Sequence, residues 1–466
     1  MDRKAPGEVI NDISAYFGFD ERIHAAPLNS AMAPAFEQVV LEEDEDNITY
    51  VRGDGKTVKT RRDGSSMPMF QRYLVRLETA RSDFERFAKR FDADTPDRYI
   101  TPLDVYTKFY ENRSFPLQLG GGGPTLGGSM TRFGIIGCGG ISRWHINALS
   151  GLPSVKLAAV CDEMPEKSGA VGGELGVASF TDADELMRSG LVDAVSICVP
   201  SGLHSGLCVK ALRLGLHVAV EKPLAITREG LREVAEAEAC SEGKLMSIAQ
   251  LRYGEDVKRV KAMLDGGALG RITMVDLSMK YYRAPAYYEQ VPWRGTLSMD
   301  GGGALMNQGI HGIDLLCWLC GGIRQVCCYS GALMHDIEAE DTLAASFTLS
   351  GGGMGALTAA TSCYPGHERR LEICGTEGSL RLAEDTLVHM ELKSGERYES
   401  VRDQAGGASD PYAINYELHK RQLGDFAACI QSGAPSPLGA AEASMALNMI
   451  FSLYESAAQN APVAVS

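Results

Sequence analysis

Phe133-Gly134-Ile135-Ile136-Gly137-Cys138-Gly139-Gly140-Ile141-Ser142 is the stretch that decides the fold of this chain. Phe133 to Ile136 reads as a buried strand, the glycines as a tight turn, and Ile141 to Leu149 as a helix. A pyrophosphate needs that order, because glycines admit the phosphates close to the backbone and the helix N-terminus faces their charge. An ordinary strand-to-helix turn gives the same local pattern, so the neighbouring residues carry the decision.

Leu157 to Val160 reads as the next parallel strand and leads into Asp162, whose carboxylate can accept hydrogen bonds from ribose hydroxyls. That arrangement favours NAD over NADP, with Lys167 read as an exposed helix lysine rather than a 2′-phosphate ligand. Apolar runs at 133–136, 157–160, 193–199 and 216–220 alternate with helical stretches, which predicts a doubly wound parallel sheet over 131–250. Beyond Arg252, the runs Ile272 to Tyr282, Thr342 to Leu349 and Gly355 to Thr361 cluster without intervening helices, apart from one near 303–319. This predicts a second α/β domain over 251–437, built on an open, mainly antiparallel sheet. Residues 438–466 hold a final amphipathic helix, with Ala440, Ala443, Leu447, Ile450 and Leu453 on one stripe packing back on the core.

The 466 residues carry a formal charge of −15 with 45% hydrophobic content, ample for two or three cores. Such an acidic surface argues against nucleic acid or an anionic membrane as partner. No apolar run approaches a bilayer span, and the polar start lacks a signal-peptide core, so a cytoplasmic location is expected. The cysteines sit mostly in apolar settings. Cys317 and Cys320 with Cys327 and Cys328 resemble a ligand cluster on paper, but the first pair lies along an apolar helix, and no metal is expected.

Two further motifs carry chemistry. Glu221-Lys222-Pro223 ends the apolar strand Val218 to Val220, and strand C-termini in such sheets line the ligand crevice. Asn307-Gln308-Gly309-Ile310-His311 follows a glycine run; if helical, Asn307, His311 and Asp314 share one face. Oxidation of a secondary alcohol needs a base beside the hydroxyl, and a histidine suits proton transfer near neutral pH. Lys222 is placed to polarise the same oxygen. Tyr281, Tyr282, Arg283, Tyr287, Tyr288, Trp293 and Arg294 supply ring faces and donors suited to a sugar, with Arg294 also able to take a carboxylate or phosphate. A sheet face of paired aromatics is the alternative reading.

Phe133 to His145, Ser196 to Pro223, Arg294 to Gly321 and Leu371 to Leu380 together resemble the glucose-fructose oxidoreductase, inositol dehydrogenase and rhizopine-catabolism (Gfo/Idh/MocA) family over about 131–463. The resemblance implies a Rossmann domain and an α/β domain whose open sheet covers the substrate and mediates homo-oligomers. It implies catalytic roles for Lys222 and His311, substrate contacts from Asn307, Tyr282, Trp293 and Arg294, and cofactor contacts from Gly137, Gly139, Gly140, Ile141, Asp162, Pro200, His204, Glu221 and Lys222. A cis bond before Pro223 is common in similar proteins. Asn307 departs from the aspartate of inositol dehydrogenases, which puts polyol specificity in doubt. The expectation is an NAD-dependent oxidoreductase acting on a sugar, glycoside or polyol; an NAD-using glycosidase and a non-catalytic NAD-binding protein remain open.

Before residue 116 there is no strand–helix rhythm. Phe36 to Glu45, Val51 to Val58, Asp63 to Pro68 and Tyr110 to Gly123 resemble the start of uroporphyrinogen-decarboxylase-like proteins, far too short for a barrel. Residues 1–115 are read as a small N-terminal extension, either a hairpin-containing appendage or a fusion remnant, and 116–130 as a glycine-rich linker with Met130 opening a complete dehydrogenase.

Overall fold

The computed structural model describes residues 24–26, 39–43, 47–51, 56–61, 69–73, 117–119, 130–400 and 416–465. The chain divides into two compact units, Met1–Leu126 and Gly127–Ser466. In the first, β1 (His24–Ala26) pairs in parallel with β6 (Leu117–Leu119), and β2 (Val39–Glu43), β3 (Asn47–Val51), β4 (Lys56–Arg61) and β5 (Met69–Tyr73) form an antiparallel meander. The expected linker over 116–130 is corrected at one end, because residues 117–119 are a paired strand. The glycine run 120–129 lies outside the described residues.

The second unit opens with β7 (Thr131–Ile136), α1 (Ser142–Ser150), β8 (Val155–Cys161), α2 (Pro165–Leu175), β9 (Ala178–Phe180), α3 (Ala183–Arg188), β10 (Ala194–Ile197), α4 (His204–Arg213), β11 (His217–Val220), α5 (Arg228–Ala239) and β12 (Leu245–Ser247). All six strands are parallel, in the order β12-β11-β10-β7-β8-β9, which is the doubly wound Rossmann arrangement. Strand order runs outward from β7 through β8 and β9 on one side and from β10 onward on the other, so the crevice opens between β7 and β10, above Ile136 and Ile197. Strands β7 and β10 are buried along nearly their whole length, as a sheet covered on both faces requires.

After α6 (Glu255–Asp265) comes β13 (Ile272–Lys280), then α7 (Ile310–Cys320) and the strands β14 (Ile323–Gly331), β15 (Thr342–Leu349), β16 (Met354–Ala360), β17 (Arg370–Gly375), β18 (Gly378–Ala383), β19 (Thr386–Leu392) and β20 (Arg397–Glu399). With β21 (Val463–Ala464) they form a nine-stranded sheet, antiparallel except for β13 beside β16. The single helix expected near 303–319 is two elements: a π-helix over Ala304–Gly309, then α7.

Helix α8 (Glu417–Ser432) falls within the span assigned by sequence to the second domain, yet it packs on the first sheet. Its buried stripe of His419, Leu423, Phe426 and Ala427 decides this: Phe426 meets Phe133 edge-on at 6.5 Å, and Gln422 bonds Ala249 N at 3.1 Å and Ser247 O at 2.9 Å. Helix α9 (Ala440–Gln459) then joins the two layers, receiving Glu238 at Ala440 N and sending Tyr454 to Glu340. Among the described residues no helix is long and apolar enough to cross a membrane.

Candidate active site

At the crevice, Gly137 adopts φ +96°, and a Cβ there would lie 2.5 Å from the carbonyl oxygen of Cys198 on β10's exit. Only glycine lets β7 turn this close to its neighbour. Gly139 and Gly140 are exposed, with nothing within 4 Å of a notional Cβ, and Ile141 leads into α1 with its N–H groups uncapped by any side chain. Asp162, just past β8, accepts the Cys138 N–H at 2.8 Å and the Met164 N–H at 3.0 Å. A carboxylate has acceptor capacity left for ribose hydroxyls. The open glycine cradle, the helix N-terminus without a side-chain cap and the half-exposed Asp162 fit a dinucleotide.

Pro200 caps the turn Ser201–Leu203 that leads into α4. His204 is turned inward, 1% exposed, with its ring nitrogens 2.7 Å from Pro223 O and 2.8 Å from Val199 O. Glu221 is likewise buried. Its Oε1 lies 2.8 Å from His145 Nε2 and 3.5 Å from His419 Nε2, while Oε2 accepts the Lys222 N–H at 3.2 Å. Both residues, expected as cofactor contacts, have their side-chain polar atoms engaged within the protein at the foot of the crevice. His145 Nδ1 is 2.7 Å from Ser196 Oγ, so the carboxylate and the imidazole sit in a hydrogen-bonded chain. His145, Glu221 and His419 bring one ligand-type atom each within 4.8 Å of one another, but the 2.8 Å contact is that of a hydrogen bond. Burial pushes the Cys320 and Cys328 thiols up to about 12, as for inert core cysteines.

Lys222 precedes Pro223 through a cis bond and reaches across to donate from Nζ to Asn307 O at 2.9 Å. Burial lowers its pKa from the ordinary lysine value, while Glu221 and Asp300 oppose that. His311, on the first turn of α7, lines with Lys222 one cavity of about 30 Å³. Burial, then the charges of Lys222 and Arg369, hold its imidazole well below the usual histidine range. A neutral imidazole beside a lysine is equipped to take a proton.

The π-helix that carries Asn307 has identifiable causes. Gly303 packs so tightly that a Cβ would lie 1.8 Å from Glu340 O, and the buried Glu340 carboxylate accepts N–H groups from Gly303 at 3.0 Å and Leu305 at 2.7 Å. Asn307 donates from Nδ2 to Asp300 Oδ1 at 2.7 Å. Asp314 lines the same cavity as Lys222 and His311, as the shared face predicts, and its carboxylate forms a bidentate pair with Arg252 at 2.8 and 2.5 Å.

Above lies a connected polar layer. Gln308 Nε2 donates to Tyr287 Oη at 2.8 Å, Arg283 donates to Gln308 Oε1 at 3.0 Å, and Arg294 stacks over Tyr287 at 4.2 Å. Trp293 is half-buried and accepts the Thr296 hydroxyl at its carbonyl, 2.7 Å away. Tyr282 turns toward Tyr364, ring centroids 5.1 Å apart. Gln308 was present in the quoted motif but unassigned; Asp300 stood immediately before the glycine run; Glu340 had no local signal.

Residues 131–249 match the model of the oxidoreductase family with an NAD-binding Rossmann fold, and 257–381 match the GFO/IDH/MocA C-terminal domain. Inositol 2-dehydrogenase of Rhizobium meliloti is 24% identical over 311 residues, covering 65% of this chain and 89% of that protein. The scyllo-inositol 2-dehydrogenase (NAD(+)) of Bacillus subtilis is 23% identical over 65% of this chain and 86% of its own. Among solved structures, the WlbA dehydrogenase of Bordetella pertussis in complex with NADH and UDP-GlcNAcA superposes with a TM-score of 0.65 at 28% identity, covering 72% of this chain and 99% of that one.

Proposed function

Because the chain from Thr131 onward belongs to the Gfo/Idh/MocA oxidoreductase family and carries its NAD-binding Rossmann domain, we propose that it oxidises a secondary hydroxyl of a sugar, glycoside or polyol, with Lys222 and His311 at the reacting centre. The observation that carries this reading is the pair itself: a lysine at a strand C-terminus and a neutral histidine facing one small space. NAD, when bound, supplies the two-electron hydride acceptor. His311 takes the hydroxyl proton on a ring nitrogen, since its imidazole is unprotonated near neutral pH. Lys222 donates a hydrogen bond to the same oxygen and stabilises the charge that develops on it. Asn307, Arg294, Trp293 and Tyr282 orient the rest of the ring, and the half-buried aromatic faces supply its apolar contacts.

Relatives whose names specify inositols, and a structural neighbour holding a uronic-acid sugar nucleotide, support a ring hydroxyl as the reacting group. The exposed sheet edge and face, with Met274, Tyr329 and Met354 open, suit self-association of copies. The test is NADH absorbance with a panel of inositols, neutral sugars, aryl glycosides and uronic-acid sugar nucleotides. NADH formation that falls about 10²-fold or more in His311→Ala supports the reading. Aglycone release without NADH accumulation would instead indicate a glycosidase cycle, and silence throughout would leave only cofactor binding.

A further inference from the structure

The residue that does not fit a passive role is Asp300. It is 2% exposed, beside the glycine run and linked to Lys222 through Asn307. Its Oδ2 accepts the Gly295 N–H at 2.9 Å and its Oδ1 accepts Asn307 Nδ2 at 2.7 Å. Burial raises its pKa, opposed by those two bonds and by the charges of Lys222 and Arg294. Asn307 is thus held at two points: its side chain by Asp300, its backbone carbonyl by Lys222.

We propose that Asp300 is a positioning residue, fixing the Asn307 amide with its oxygen free for a substrate hydroxyl and serving, together with Glu221, as a buried counter-charge of Lys222. This rests on the dehydrogenase reading only for what the amide faces. A carboxylate accepts hydrogen bonds and donates none, so the amide must turn its nitrogen toward Asp300. Its oxygen then has one long contact, 3.5 Å to Gln308 Nε2, whose shorter bond goes to Tyr287. Position 307 therefore offers an uncharged acceptor that orients a hydroxyl but cannot take its proton, leaving that to His311. The charged and titratable groups facing Lys222 are Glu221 on its own strand, Asp300 from the loop, and the His204 and His311 imidazoles, which burial keeps neutral. Of these, Asp300 shares a residue-long bridge with the lysine head through Asn307, whereas the Glu221 carboxylate is engaged with His145. The negative charge that Asn307 lacks is supplied from behind it.

The experiment is the pH dependence of Lys222 acetylation by acetic anhydride in the full chain, read by peptide mass spectrometry, with NADH binding by fluorescence as control. Asp300→Asn should move the Lys222 midpoint down by about one unit or more. Asp300→Ser, which keeps a hydroxyl for the Gly295 N–H, should do the same and serves if the amide variant does not fold. The exchange D300N/N307D reverses the polarity of the 300–307 bond, leaves the side-chain oxygen at 300 to accept the Gly295 N–H, and should return the midpoint toward the parent value. An unchanged midpoint in both single variants, or an exchange that fails to restore it while NADH still binds, overturns the proposal. No arm uses turnover, so failure of the substrate panel leaves this result intact and counts against the dehydrogenase reading alone.

Discussion

Glu221 and Lys222 are adjacent in sequence but face opposite ways: the carboxylate goes into the core, 2.8 Å from His145 Nε2, while the ammonium crosses to Asn307 O at 2.9 Å. The hydrogen bond from His145, with the His419 imidazole 3.5 Å away, works against burial and keeps Glu221 well below the carboxylate range, so an anion lies under Lys222. Replacing Glu221 with Ala leaves His145 without that partner and should cost about 2–4 kcal/mol by chemical denaturation. Glu221→Gln keeps a hydrogen bond and should cost about half of that. Equal losses in the two variants would count against a charge-based role.

Gly137→Ala tests the crevice. The new Cβ would meet backbone atoms of Cys198 at 2.5 and 2.7 Å, at a φ of +96°. Neither contact can be relieved by a rotamer change, so at least about 2 kcal/mol is expected, together with weaker NADH binding. Gly139→Ala meets nothing within 4 Å in the protein. It should leave stability nearly unchanged and weaken NADH binding if the cradle holds the pyrophosphate. Calorimetry and fluorescence titration separate the two effects.

The pH profile of kcat/KM for alcohol oxidation should have widely spaced limbs. His311 must be unprotonated, and burial with the Lys222 and Arg369 charges puts its pKa well below 6.5, so the acid limb lies below 6.5. Activity is lost on the basic side as Lys222 deprotonates, below 10.5 because of its burial. An acid limb centred on 6.5 would assign the proton to a solvated histidine elsewhere.

Stability should also fall in acid. His145 and His204 are buried, and burial lowers both below 6.5 despite hydrogen bonds that oppose it. The unfolded chain therefore binds protons at these positions from about pH 6.5 downward, while the folded chain does not until lower pH. The stability they contribute is complete above 6.5 and is lost as pH falls through their folded values. Tm should be flat from about pH 7 to 8 and decline below about 6.5. A His204→Gln chain with the same acid slope would remove that residue from the account.

Arg252 and Asp314 form a pair whose side chains are 6% and 12% exposed, with the guanidinium also 5.3 Å from the Trp318 ring centroid. Arg252→Ala leaves a buried carboxylate unpaired and should cost about 3–5 kcal/mol. R252M/D314L removes both charges and should cost less than the single change; a larger loss would make the pair itself stabilising.

Much of this molecule was written locally. The strands at 131–136, 155–161 and 217–220 declare themselves because a parallel sheet buried on both faces demands continuous apolar runs. The places of the glycine turn, Asp162 and Lys222 at strand ends were legible for a related reason: a tight turn and a strand end are fixed by a few consecutive residues. His311 was legible from its motif, but its neutrality was not, since that depends on burial and on Arg369, far along the chain.

What only the tertiary structure decided is which way each polar side chain turns. Glu221 and His204, read as cofactor contacts, point inward because partners from α1, α8 and the Pro223 turn satisfy them there. Asp314, beside His311 at the cavity, takes Arg252 as its partner, and helix α8 returns to the first sheet because its apolar stripe fits Phe133. The π-turn at Ala304–Gly309 needs Glu340 from a strand edge to hold its N–H groups. Periodicity and glycine spacing are properties of neighbours in the chain, so the sequence alone determined the elements and the two chemical motifs. Hydrogen-bond partners and local dielectric are set by residues distant in the chain, and only folding brings those together.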